Sequence, residues 1–313
     1  MHTGPHLTAS GIGLDIGGTK IAGVVIDPSG SVVARERRAT PSGDGDAAVA
    51  ACIETAERLL DMARAAGLAA GPIAIAMPGT IDRVSGRVID SPVLSMTDVP
   101  MVEIAQRALG HPVTVLHDVK AAAFGELVAG AGIGQADAAY LNIGTGVSVA
   151  FVFGWKVHQG ASGTAGEIGH VVVEPDGRLC NCGRRGCLET VASGPAIARA
   201  AGRDDGRLEL VAEAARAGDQ RSLEAFRVAA EYMAGVLADF AMVMDVGLLM
   251  VGGGVSEVGR ALIDPLQTSL DRRLADVVES VKVVPAAMGA DSGVFGAAHW
   301  SRLVHNGGTS HSW

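Results

Sequence analysis

The sequence predicts a two-domain α/β fold with duplicated β-hairpin modules. Three observations carry that expectation. The chain has 313 residues, 48% of them hydrophobic, enough for about two domains at roughly 100–200 residues each and for a real core. Short apolar runs of strand length alternate with longer segments whose apolar residues recur at helical spacing, as mixed α/β architectures require. Finally, LDIGGTKIAGVVID (residues 14–27) returns as LNIGTGVSVAFVFG (residues 141–154). Each copy has a polar residue, an Ile, a glycine turn holding a Thr, and then an apolar strand.

Taken in order, residues 11–17 form a short apolar strand ending in glycines, and residues 20–26 a second β-rich run. The turn Asp27-Pro28-Ser29-Gly30 leads into a third run from Ser31, so the chain opens as a β-meander. Residues 46–66 repeat Ala, Ile, Leu and Met at helical spacing; residues 73–77 are an apolar strand closed by Pro78-Gly79; residues 113–116 make another strand feeding a helix from about Val119. The second half restarts the pattern with a strand at 139–143, the turn Gly144-Thr145-Gly146, a strand at 147–153, the turn Gly154-Trp155 and a strand at 156–159. Helical periodicity follows at 195–201, 209–217 and 222–244, then a strand at 248–251 capped by Gly252, Gly253 and Gly254, a helix from about Arg260 and a strand at 281–284. The expected division is a smaller N-terminal α/β domain over 1–117, a larger C-terminal one over 118–304, and a frayed tail over 305–313.

The net charge of −9 argues against a nucleic-acid surface, which needs a basic stripe to displace counterions from phosphates. Only four lysines occur, Lys20, Lys120, Lys156 and Lys282, so Arg carries most positive charge. The greasiest stretch, 228–251, is broken by Glu231, Asp239 and Asp245, so no membrane span is expected. The first ten residues lack a basic start and an apolar core, which leaves no visible secretory signal and the cytoplasm as the expected location.

Glycine turns between strands let backbone N–H groups approach an anion, and a nearby Thr or Lys adds donors or charge. Two such turns occur, Gly17-Gly18-Thr19-Lys20 and Gly144-Thr145-Gly146, with a third cluster at Gly252–Gly254. Neither the dinucleotide fingerprint nor the GxxxxGK[ST] loop is present. Any one turn alone reads as an ordinary tight turn; together, with Asp15 beside the first, they favour two hairpins facing each other across a nucleotide's phosphates.

Cys180, Cys182 and Cys187 supply three soft ligands within eight residues. In a reducing compartment such clustering points to metal before disulfide. A tetrahedral zinc site needs a fourth ligand, with His170 the first candidate and His158 the second. Four protein ligands make the site structural; three would leave a catalytic position open. Cys52 lies on an apolar helix face and reads as core. Asp118 follows His117 at the end of a strand and precedes a helix, where α/β sheets present catalytic groups and where an ordinary helix cap would also stand.

These segments together resemble the ROK family (repressor, open reading frame, kinase) of the sugar kinase and actin superfamily, over nearly the whole chain from about residue 11 to 304. The resemblance rests on LDIGGTK at 14–20, the MPG turn at 77–79, HDVKAAAFGE at 117–126, NIGTG at 142–146, AGEIGH at 165–170, CNCGRRGCLE at 180–189 and VGGGVS at 251–256. It implies an actin-like (ribonuclease H-like) sugar kinase fold with an interdomain cleft, and an ATP-dependent kinase acting on a primary hydroxyl. Asp118 would be the base, and Gly79, Glu167, His170 and Glu189 would line the acceptor. Asp15, both glycine turns and Gly252–Gly254 would hold ATP with Mg2+. His170 would join Cys180, Cys182 and Cys187 on a structural Zn2+, serving metal and sugar through its two ring nitrogens. The resemblance also implies a homodimer or homotetramer.

Two departures stand out. The family pattern near SPNL, whose Asn holds a ring hydroxyl, reads Ser91-Pro92-Val93-Leu94 here, and the usual Asn before the base is His117. Val93 has no polar atom with which to make that bond. Either the chain is a glucokinase with ordinary drift, or its acceptor differs around one ring hydroxyl, as another hexose or a hexose-like cyclitol would. The family also contains sugar-responsive regulators. Their DNA-binding helices precede the first hairpin, whereas ten residues precede it here, so a regulatory or binding protein without kinase activity is the alternative.

Overall fold

In a computed structural model, which describes residues 9–69, 71–254, 259–275 and 277–305, the chain divides into two compact units. The tail expected at 305–313 lies outside the described residues except for His305, as do Val255 and Ser256 of the VGGGVS segment. No helix among the described residues is long and apolar enough to cross a membrane.

The chain opens with β1 (Gly11–Ile16), β2 (Lys20–Ile26) and β3 (Val32–Ala39), followed by α1 (Gly45–Ala65) and β4 (Ile73–Met77). Three short strands, β5 (Thr80–Ile81), β6 (Val88–Ser91) and β7 (Met96–Val99), form a small sheet of their own, then come α2 (Met101–Leu109), β8 (Val113–His117) and α3 (Asp118–Ala129). The second module runs β9 (Ala138–Ile143), β10 (Val147–Phe153) and β11 (Lys156–Val157). It continues through α4 (Glu189–Ala192), α5 (Gly194–Ala200), α6 (Leu208–Arg216) and α7 (Gln220–Met244). After these come β12 (Leu248–Gly252), α8 (Arg260–Leu274), β13 (Lys282–Pro285) and α9 (Ser292–His305).

The two five-stranded sheets have the same topology. One is ordered β3-β2-β1-β4-β8 and the other β11-β10-β9-β12-β13. In the first, β1, β2 and β3 pair antiparallel, and β4 and β8 are added in parallel. In the second, β12 lies parallel to both β9 and β13. The sequence repeat is therefore a structural duplication, and the α/β expectation holds.

The units differ from the expected cut after residue 117. Unit 1 comprises Met1–Ala136, Val152–Ala165 and Asp291–Trp313; unit 2 comprises Asp137–Phe151 and Gly166–Ala290. The cause is α9, which returns from far along the chain to unit 1. A Cβ built on Gly13 would lie 2.2 Å from Ala298 N, and one on Gly11 2.1 Å from Ala298 O, so the two glycines let α9 settle on the backbone of β1. Against α3, a Cβ on Gly296 would fall 1.7 Å from Ala121 O. Buried Glu126 locks the same junction, accepting Ser292 Oγ–H at 2.7 Å and the Ala131 N–H at 2.8 Å. The core of unit 1 packs α1 against the sheet through Leu14, Ile16, Cys52, Leu59 and Ile75. Burial pushes the Cys52 thiol up to about 12, so it behaves as the apolar filler expected.

Candidate functional site

In unit 1 the polar positions gather at the C-terminal ends of β1, β4 and β8. The first glycine turn is closed by Gly17 N–H donating to Lys20 O at 2.9 Å, and braced from β3's end by Thr40, whose hydroxyl donates to Gly17 O at 2.7 Å. Thr19 is exposed at the tip, and Gly18 is covered by Val93: a Cβ on Gly18 would lie 2.8 Å from Val93 Cγ1. Val93 itself is exposed, in a helical turn that ends on left-handed Ser95. Asp15 sits one residue before the strand end. Its burial pushes the carboxyl up to about 7, with the charge of Asp118 adding to the shift, Lys20 opposing it and Asp291 adding a little.

Asp118 is the first residue of α3, where the helix dipole favours a carboxylate. Its Oδ1 accepts the Val119 N–H at 2.7 Å and lies 3.0 Å from His117 Nδ1. The charge of Asp118 is felt at Asp15, so the hairpin and Asp118 belong to one patch of unit 1. Gly79 has φ +121°, and a Cβ there would come within 2.4 Å of Asp90 O, so only glycine completes this turn. Beside it opens a cleft lined among others by Gly79, Arg83, His117, Lys120, Gln159 and Trp300. Lys120, buried, donates to the carbonyls of Gln159 and Gly163 and so ties that loop to α3. Arg83, Lys120, Gln159 and Trp300 were not among the sequence candidates. Lys120 stood within the HDVKAAAFGE segment, but its partners lie some forty residues away and only folding brings them to it.

Unit 2 repeats the arrangement. The turn Gly144-Thr145-Gly146 is closed by Gly144 N–H donating to Gly146 O at 2.9 Å, with Thr145 exposed at its tip. A Cβ on Gly144 would meet nothing within 4 Å, which leaves that face open to a ligand. Gly252 and Gly253 pack on the end of β9: a Cβ on Gly252 would lie 2.0 Å from Tyr140 Oη, and one on Gly253, at φ +86°, 2.5 Å from Ile143 O. Gly254 follows them with open space around it. The third glycine cluster therefore adjoins the second turn. Glu189, at the start of α4, also reaches the turn, since a Cβ on Gly146 would come within 2.5 Å of its Oε2.

Glu167 and His170 bracket a single helical turn, Ile168–His170. His170, Cys180, Cys182 and Cys187 offer four ligand atoms that all lie within 4.8 Å of one another. His170 Nδ1 is 3.6 Å from Cys180 Sγ, and Cys182 Sγ is 3.6 Å from Cys187 Sγ. Zinc bonds of about 2.0–2.3 Å at tetrahedral angles place donor atoms about 3.5–3.8 Å apart, so this set could hold such an ion. His158, the second candidate, is not part of the group and instead stacks edge-on with Phe153. The loop is shaped for this by Gly186, whose Cβ would strike Glu174 O at 1.5 Å, and by Cys180 N–H donating to Arg184 O at 2.8 Å. The Cys182 thiol is pulled down to about 6 by the Arg184 backbone N–H and side chain, while burial pushes Cys187 up to about 12. Because Nδ1 of His170 faces the sulfurs, Nε2 is left for another partner.

The sequence profile described as the ROK family matches residues 11–303. A glucokinase of Streptomyces coelicolor is 32% identical over 319 residues, covering 93% of this chain and 97% of that one. An N-acetylmannosamine kinase of Yersinia pseudotuberculosis is 34% identical over 301 residues, covering 93% and 98%. Among solved structures, a ROK family glucokinase of Streptomyces griseus in complex with glucose and AMPPNP superposes with a TM-score of 0.82 at 33% identity, covering 94% of this chain and 100% of that one.

Proposed function

The chain belongs to the ROK family, and from that premise we propose that it is an ATP-dependent phosphotransferase acting on the primary hydroxyl of a hexose or a hexose-like cyclitol. One observation carries the reading most directly: a carboxylate at a helix N-terminus, Asp118, shares its patch of unit 1 with a glycine hairpin and with Gly79. The relatives with glucokinase and N-acetylmannosamine kinase activity support the reaction class.

In the proposed reaction Asp118 takes the proton of the acceptor hydroxyl as its oxygen attacks the γ-phosphorus of ATP; the bond to the β-phosphate oxygen breaks and ADP departs. The turns Gly17–Lys20 and Gly144–Gly146, with Gly252–Gly254, present backbone N–H groups and Thr hydroxyls to the phosphates. Asp15, a half-buried carboxylate near Asp118 and Asp291, is the hard oxygen donor suited to Mg2+, which neutralises phosphate charge when bound. Glu167, Glu189 and Nε2 of His170 hold acceptor hydroxyls. We assign the four-ligand cluster to a structural Zn2+, with all its positions filled by protein and its role the fixing of His170.

Val93 sets the finer reading. An exposed valine at the edge of the first hairpin offers no hydrogen bond to a ring hydroxyl, and an unpaired hydroxyl costs about 1–3 kcal/mol, roughly 10- to 100-fold in kcat/KM. We therefore favour an acceptor that differs from glucose around one hydroxyl. The test is an ADP-release assay over a panel of hexoses and cyclitols with ATP, run on the wild type and on Asp118→Ala. Turnover on some member of the panel and its loss in Asp118→Ala, with acceptor binding retained, is the expected result. A clear preference for glucose sinks the altered-acceptor reading, and turnover retained by Asp118→Ala moves the base elsewhere.

A further inference from the structure

Resting on the kinase reading above, we infer that Lys120 is a positioning residue for acceptor binding: from the first turn of α3, two residues after the base, it anchors the loop 159–165 that leads into Glu167 and His170. It touches no substrate in this reading and acts through the backbone that it holds.

The need for an anchor begins in the loop itself. Residues 158–165 form neither helix nor strand, and Gly160 and Gly163 stand at φ +74° and +82°. Backbone carbonyls in such a stretch have no ladder to pair with and must take donors from elsewhere. Lys120 supplies one. It is only 3% exposed, and an ammonium taken out of water needs acceptors in place of the water it loses. Its Nζ donates to Gln159 O at 3.4 Å and, more closely, to Gly163 O. Each side meets the other's requirement, and a hydrogen bond from a charged donor is stronger than one between neutral groups.

Two further contacts carry the anchor along the chain. Ala165 N–H donates back to Gln159 O at 3.4 Å, so this one carbonyl joins Lys120 to both ends of the loop. A Cβ on Gly163 would lie 3.1 Å from Ile81 O, which sets the loop against β5 just beyond Gly79. Gly79, Lys120, Gln159 and Gly163 accordingly line the same cleft. Ala165 ends this stretch of unit 1, and Glu167 follows two positions later. The base and a carboxylate proposed to hold the acceptor are thus attached to opposite ends of one brace, Asp118 beside Lys120 and Glu167 beside Ala165. A residue placed here only to fill the interior would need no charge, since an apolar side chain of similar volume fills space without the cost of desolvation.

Hydrogen exchange read by mass spectrometry, on the full chain as wild type, Lys120→Met and Lys120→Arg, tests the anchor directly. Met keeps the length and apolar stem without a donor, whereas Arg keeps the charge and the N–H groups. The expected result is exchange over residues 159–167 about 10-fold faster in Lys120→Met, with α3 and the turn Gly17–Lys20 unchanged, and near the wild-type rate in Lys120→Arg. In kinetics, with the panel member of highest kcat/KM as acceptor, Lys120→Met should raise the acceptor KM about 10- to 100-fold and leave the KM for ATP within about 2-fold, and Lys120→Arg should recover most of that loss. Unchanged loop exchange in Lys120→Met overturns the inference, as do two KM values that rise together or an Arg variant no better than the Met variant. So does a Lys120→Met chain whose α3 exchanges as fast as its loop, because Lys120 then supports the fold at large. The exchange measurement needs no turnover: a chain that phosphorylates no member of the panel sinks the kinase reading, while the loosening of the loop is judged by itself.

Discussion

Asp118 Oδ1 accepts from the Val119 backbone, a tie that restrains the proposed base before any substrate arrives. Val93 is the opposite kind of residue. It is exposed, touches Gly18 of the first turn and contributes no polar atom. Both facts have a direct sequence origin. Asp118 was legible as a candidate because α/β sheets present catalytic groups between a strand end and a helix, although a plain cap would look the same until the neighbouring segments joined it, and Val93 because it interrupts an otherwise recognisable segment. The cavity wall was not legible: Arg83, Lys120, Gln159 and Trp300 are far apart in the chain, and their meeting depends on packing that no local pattern encodes. Restoring an amide at position 93 tests its role. Val93→Asn should raise kcat/KM for glucose about 10- to 100-fold relative to the wild type while leaving the KM for ATP in place. Unchanged discrimination among sugars would remove Val93 from the specificity determinants.

At the scale of elements, the loop that carries Cys180, Cys182 and Cys187 is held by short-range geometry. Its isolated bridges, Val172 to Cys187 and Leu179 to Arg185, and its left-handed Gly183 and Gly186 shape a loop with little apolar core of its own. Removing a bound ion should therefore loosen His170, and with it Glu167 one helical turn away. Metal analysis of the purified chain should find one zinc per protein; stripping it with a chelator should raise the acceptor KM about 10- to 100-fold with little effect on the KM for ATP. A zinc-free protein with unchanged acceptor affinity would dismiss the assignment. Element boundaries also show where sequence patterns fail. The long strands and helices announce themselves by period, whereas β5, β6 and β7 have two to four residues each and display none. Helix α2 starts at Met101, after Pro100, without a side-chain cap. Helix α9 went unread for a different reason: Val294, Ala297, Ala298, His299, Trp300, Ser301, Arg302 and Leu303 are all buried, so it has no polar face to give an amphipathic signature.

Over the whole molecule, the duplication was readable because a glycine turn between apolar strands is conspicuous wherever it recurs, while the division into units was not, since it depends on where α9 docks. That docking carries a pH signature. His299 of α9 is buried and accepts from Arg302 on Nδ1 at 3.1 Å; burial first, and the Arg302 charge second, hold it down at about 4 against an ordinary 6.5. Protons then bind the unfolded chain more readily than the folded one. The stability from a neutral His299 is full above about pH 6.5 and is lost as pH falls toward 4, by about 3 kcal/mol. Urea midpoints measured from neutral to acid pH should fall more steeply for the wild type than for His299→Gln; parallel curves would show that His299 titrates normally in the fold. The glycines of β1 have a further consequence, in the order of synthesis. Gly11 and Gly13 leave one face of the first strand without side chains at those positions, and the helix that covers that face is made almost a whole chain later. As the chain leaves the ribosome, residues 137–151 and 166–290 have all emerged and are able to close into the second unit while the first still lacks its last helix. The module begun first is thus finished last, and the uncovered glycine face of β1 is what a growing chain must keep from misassembly in the meantime.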